Sequence, residues 1–181
     1  MADNMDARAS AWSDAVVRAA AEASRLQPLA TFLFWGALLL IIGQHVAEPI
    51  TYVFEGEVGE GVQEFLVHLV EALPALVLSF ALWETRGYLG RLAKGELWGP
   101  STARLLGRVG DCLLWAAIFS VLVVPNLENW LHGGFGGFDA NFEAVDLCLA
   151  GMGLLLSLIS RVVGNVVQVA ASLKAENDQI V

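Results

Sequence analysis

The sequence predicts an all-α membrane protein, an antiparallel bundle of four transmembrane helices with both termini cytoplasmic. Three observations carry this. Only 16% of the 181 residues are charged and 56% are hydrophobic, against about 25% charged in a soluble domain. The mean hydropathy is +0.61, and four apolar runs are long enough to cross a bilayer core. All ten Lys and Arg residues fall on one side of those runs. Arg8, Arg18 and Arg25 precede the first, five lie between Arg86 and Arg108, and Arg161 and Lys174 follow the last. Basic residues are retained on the cytoplasmic side, so this asymmetry also sets the orientation.

Residues 1–27 carry Ala7, Ala11, Ala15, Ala19 and Ala23 at helical spacing, with Arg8, Asp14, Arg18, Glu22 and Arg25 on the other face. They read as a cytoplasmic amphipathic helix with Trp12 as an interfacial anchor, or as a helix packed on the protein itself. The first span is 28–47, with Pro28 suited to its first turn. Residues 48–61 form an outer loop with four Glu and no Lys or Arg. The second span, 62–83, contains Glu64, His68 and Glu71, then Pro74, which is expected to bend it. The cytoplasmic loop 84–111 is punctuated by Gly95 and Gly99–Pro100, with Ser101 or Thr102 as a cap for the third helix. The third span is 112–127. A second outer loop carries His132 and the flexible GGFGGFD stretch, whose Phe135 and Phe138 suit a headgroup region. The fourth span, 142–160, ends at Arg161, which can snorkel to the interface. Residues 162–181 continue as a cytoplasmic helix and tail, expected to pack on the N-terminal helix or the central loop.

The composition excludes several classes. A net charge of −9 argues against direct nucleic-acid binding. Cys112 and Cys148 lie in apolar runs without CxxC spacing and read as small buried thiols. No nucleotide loop or nucleophile–base pair stands out, and no extramembrane segment is large enough for an ordinary enzyme fold. The expectation is a non-enzyme without a cofactor.

Three polar constellations remain. His45, Glu48, Glu64, His68, Glu71, His132 and Asp146 all fall on the outer half. Ionisable groups within a span are costly and face the interior or water. His68 and Glu71 stand three residues apart on one helix face, so both can reach one divalent ion or proton. The alternative is a hydrogen-bonded interior network. Glu64 and Asp146 complete this candidate intramembrane site. Asp111 and Arg161 come to the same depth in an antiparallel arrangement and are expected to form an ion pair. Trp98 with Glu176, Asn177 and Asp178 makes a candidate surface for a cytoplasmic regulatory partner; the alternative for the tail is a frayed terminus. Gly36 and Gly43, seven apart on one face, offer a close contact for a homo-oligomer.

The central stretch GRLAKGELWGPSTARLLGRVGDCLLW resembles a motif of the bacterial membrane family catalogued as domain of unknown function 2975. Gly95, Glu96, Trp98, Leu105, Arg108 and Gly110 carry the match, with Trp98 in place of the family's usual Phe. The closing LKAENDQIV, through Leu173, Glu176, Asn177, Asp178 and Val181, resembles its acidic-Asn-Asp ending. The resemblance implies four spans in a bacterial inner membrane, and family members often have a helix-turn-helix regulator encoded nearby. It implies no activity and no catalytic residues. The sequence therefore supports a regulatory or interaction protein coupling the lipid bilayer to a cytoplasmic partner. The alternative is a small oligomeric transporter, channel subunit or metal-handling protein using Glu71 and His68.

Overall fold

In the computed structural model, residues 2–54, 58–95, 100–134 and 137–178 are described, and every described element is helical. The elements are α1 (Ala2–Phe54), α2 (Val58–Glu71), α3 (Leu73–Ala93), α4 (Pro100–Ile118), a π turn (Phe119–Val123), α5 (Val124–Leu131) and α6 (Ala144–Asp178). Among the described residues, three helices are long and apolar enough to cross a membrane: Val16–Ala47, Ser101–Leu131 and Ala144–Leu173. A fourth is gained if the pair Gly61–Glu71 and Leu73–Ala93, bent by 46°, counts as one span.

Several boundaries differ from the sequence expectation. The amphipathic helix 1–27 and the span 28–47 are one helix, with Pro28 and Pro49 inside it. At about 1.5 Å per residue, α1 is long enough that each proline costs one backbone bond without ending it. Residues 48–61 are mostly helical rather than a loop, since α1 runs to Phe54 and α2 starts at Val58. The bend expected from Pro74 falls at Ala72, and Pro74 occupies the first turn of α3, where its missing N–H is tolerated. Pro100 opens α4, so Ser101 and Thr102 lie inside the helix. Thr102 Oγ1 instead meets the Tyr88 hydroxyl at 3.0 Å.

Pro125 explains the π turn. It cannot donate to the Val121 carbonyl, and the turn before it widens so that the Val124 N–H reaches Phe119 O. The freed Val121 carbonyl accepts the Asn141 N–H at 3.2 Å. Asn126 holds the same loop. Its Nδ2 donates to Leu122 O at 2.5 Å and to Asp139 O at 2.6 Å, and its Oδ1 accepts the Asp139 N–H at 3.0 Å.

The long units lie in an antiparallel row, α1–α3–α4–α6, with α2 against α1 and α5. Among the described residues α1 and α6 do not pack along one another, so the row is open rather than closed into a bundle. Polar contacts tie each neighbouring pair. Arg86 Nε donates to Thr31 Oγ1 at 2.8 Å between α3 and α1. Arg108 and Glu84 pair at 2.6 Å between α4 and α3. Ser160 Oγ donates to Ala103 O at 2.7 Å between α6 and α4.

The buried positions are small: Ala23, Ala30, Ala72, Ala103, Ala116, Ala117 and Ser79, with Val67 and Val121. The large apolar side chains Phe32, Leu39, Phe80, Trp115 and Leu155 are exposed. Small residues inside and large ones outside is the pattern of helices packed within lipid, where close backbone approach drives association. The α4–α6 contact is the tightest. A Cβ on Gly110 would lie 2.7 Å from Gly153 O, and one on Gly153 would lie 2.7 Å from Gly110 O. Gly36 and Gly43, the sequence's candidates for close contact, have nothing within 4 Å of a Cβ position. Cys112 is half-buried, whereas Cys148 is exposed rather than buried.

Candidate metal centre

The α2–α3 break assembles the site. α2 carries Val67, His68 and Glu71 to its end, and burial of Val67 and Ala72 fixes that end against the fold. His68 Nδ1 and Glu71 Oε2 are 2.9 Å apart across one helical turn. α1 passes alongside and delivers His45, whose Nδ1 is 3.8 Å from the same Glu71 oxygen. The two imidazole rings are tilted, with centroids 5.9 Å apart. Ligand atoms of His45, His68 and Glu71 all lie within 4.8 Å of one another.

Burial is graded. The side chains of His45 and His68 are 21% and 17% exposed, and that of Glu71 is 39% exposed. The His45 Nδ1 atom is buried and has no hydrogen-bond partner. A buried imidazole nitrogen without a partner loses hydration with no return, so such an atom calls for an explanation. Pro49 adds to the polarity, because it has no N–H for the His45 carbonyl four residues back. Glu128 on α5 is close enough to Glu71 for their charges to interact, and Gln63 Nε2 donates to Leu131 O at 3.2 Å, holding α5 beside α2.

Two neutral imidazoles and a carboxylate are the donor set of many zinc sites that keep a fourth position open. With bonds of about 2.0–2.1 Å in tetrahedral geometry, ligand atoms are about 3.4 Å apart. The observed 2.9 and 3.8 Å separations around Glu71 Oε2 bracket that value, and all three ligand atoms lie within 4.8 Å of one another. The 39% exposure of Glu71 leaves one side of the cluster uncovered by protein, where a fourth ligand could bind.

The other predicted residues are placed differently. Glu64 lies one turn before His68 on α2 and is outside the ligand group. Asp146 is buried, and its Oδ2 accepts the Glu143 N–H at 3.1 Å. That is the reciprocal half of a capping box at the start of α6, not part of the histidine cluster. His132 Nδ1 is 2.8 Å from the Glu128 carbonyl. Asp111 meets Ser157 Oγ at 3.4 Å rather than Arg161. The glycine contact sets the register so that Asp111 faces the turn before Arg161, which is exposed. Trp98 and the side chains of Glu48, Asn177 and Asp178 lie outside the described residues, and Glu176 is exposed near the end of α6.

The missed feature is the joining of His45 to His68 and Glu71. All three were visible as polar residues of one half, but only the α1–α2 hairpin brings them to one point. Glu128 had no sequence signal beyond its place near the end of an apolar run. No protein-family model matches the chain, and comparison with curated proteins and solved structures gives no significant match.

Proposed function

We propose that this chain is a multi-pass metal-handling protein of a bacterial cytoplasmic membrane, with both termini inside and a divalent transition metal held by His45, His68 and Glu71 on the outer half. The observation that carries the metal reading is the convergence of three ligand atoms from two helices around a buried His45 nitrogen that makes no hydrogen bond. The membrane reading is supported by the exposed large apolar side chains and by the ten Lys and Arg residues on one side. Zinc is the first metal to test, because borderline nitrogen and oxygen donors suit it. Four spans are few for a transport path, so transport would require a homo-oligomer. The resemblance to the domain of unknown function 2975 family agrees with the membrane placement and adds no activity.

The test is zinc titration of purified protein by calorimetry, with metal content after exhaustive dialysis. One zinc per chain is expected, with affinity at least tenfold lower in His45→Ala, His68→Ala and Glu71→Gln, in line with the steep dependence of metal sites on their ligands. Equal zinc retention by the unchanged chain and a variant lacking all three ligands would sink the proposal.

A regulatory reading has one observation in its favour. Beyond Arg161, Val162, Val166, Val169 and Leu173 on α6 are exposed, although this stretch was expected to pack on the N-terminal helix or the central loop. Crosslinking in cells, comparing the full chain with one ending at Arg161, checks this. A specific soluble protein captured only by the full chain is expected; identical capture by both would remove the tail from consideration.

A further inference from the structure

We propose that the groove between α3 and α4 binds a lipophilic cation, a hydrophobic body carrying a quaternary or delocalised positive charge. The groove encloses about 350 Å³, within the range of small-molecule sites. Its walls are apolar and aromatic, from Phe80 on α3, Trp115 on α4 and Phe119 at the start of the π turn. Glu84, Arg108 and Asp111 also line it. The site lies between α3 and α4, and none of its residues belongs to the histidine cluster.

The charge distribution selects the ligand. Two carboxylates face one guanidinium, leaving a net charge of about −1 if all three are ionised at neutral pH. Arg108 is already paired with Glu84 at 2.6 Å, so its charge is offset within the groove before any phosphate arrives. Asp111 is exposed, and its contact with Ser157 is a long 3.4 Å. Its carboxylate keeps acceptor capacity and uncompensated charge. A cation held there lies beside Trp115, the strongest aromatic partner for a cation, and its apolar body covers Phe80 and Phe119. An anionic amphiphile would meet Asp111 repulsively with no free cation to offset it. Phe80 and Trp115 are 65% and 55% exposed, so the groove opens sideways. In the membrane placement proposed above, that opening faces lipid and a hydrophobic cation reaches it from within the bilayer.

Tetraphenylphosphonium is the probe, measured by equilibrium binding to the full chain in nanodiscs of phosphatidylcholine, with triphenylphosphine oxide as a neutral competitor. Saturable binding is expected, with no competition by the neutral analogue. Asp111→Asn should weaken it at least tenfold, and Asp111→Glu should restore most of it. Trp115→Leu supplies a second, independent variant, expected to weaken binding at least threefold, and it decides the matter if Asp111→Asn does not fold. Three results would overturn the proposal: no saturable binding, binding equally well competed by the neutral analogue, or binding indifferent to both variants. Displacement by phosphatidylglycerol with loss in Arg108→Gln but not in Asp111→Asn would mark an anionic-lipid site instead, and would also overturn it.

Discussion

Gly153→Leu is expected to separate α4 from α6 and to cost about 3 kcal/mol, the upper part of the range for overpacking. The argument is one of backbone against backbone. A Cβ at Gly153 would stand 2.7 Å from Gly110 O and 2.9 Å from Leu114 N, and neither can rotate away as a side chain can. The helices must move apart, and the Ser160 bond to Ala103 O is lost with the movement. The contrast is Gly107, where a Cβ would meet mainly the Ser160 hydroxyl at 2.9 Å; Gly107→Ala should be several-fold milder in free energy. A direct reading is available from an Ala103→Cys, Gly164→Cys pair in a background without Cys112 and Cys148. A Cβ at position 164 would be 3.7 Å from that of Ala103, near the mean for a disulfide. Crosslinking should be rapid in the otherwise unchanged chain and abolished by Gly153→Leu. Undiminished crosslinking and an unchanged melting temperature would show that the interface tolerates a side chain there.

Asn126→Leu is expected to cost about 1–2 kcal/mol, since each hydrogen bond contributes about 0.5–1.5 kcal/mol net and Asp139, which shares two of the three, is exposed. One amide closes three contacts, to Leu122 O and to both the carbonyl and the N–H of Asp139. No single substitution restores all three. Asn126→Asp keeps an acceptor for the Asp139 N–H but turns a carboxylate oxygen toward two carbonyls, so it should be nearly as damaging. Hydrogen exchange is the measurement. The amide of Asp139 and that of Asn141, bonded to Val121 O, should lose protection together while α1 and α3 stay protected. Loss spread evenly over the chain, or none, would contradict a local clamp.

The helical class and the three to four apolar units were legible because hydropathy is a property of segments. The His68–Glu71 relation was legible for a similar reason, as helix geometry alone puts residues three apart on one face. Features depending on a second segment were not. His45 joins the site only through the α1–α2 hairpin, and Gly110 meets Gly153 only through the register of α4 on α6. Gly36 and Gly43 have the same local look as Gly110, yet their faces are open. Pro28 and Pro49 misled the boundaries, because each signals one lost backbone bond, which the long α1 absorbs. Asp146 illustrates a different difficulty. An acid one turn inside an apolar helix looks like a functional charge, and the backbone N–H it satisfies leaves no mark in composition.

The open row also bears on how the chain is made. Each long unit packs against the long unit that precedes it in sequence: α3 on α1, α4 on α3, α6 on α4. A growing chain can therefore complete every helical hairpin as soon as its second arm is made, and no early segment has to wait for the last. Such a topology has few long loops to close, which favours rapid assembly. The final step is the docking of α6, so the glycine-lined seam that closes last is also where a defect would leave the first three units already built.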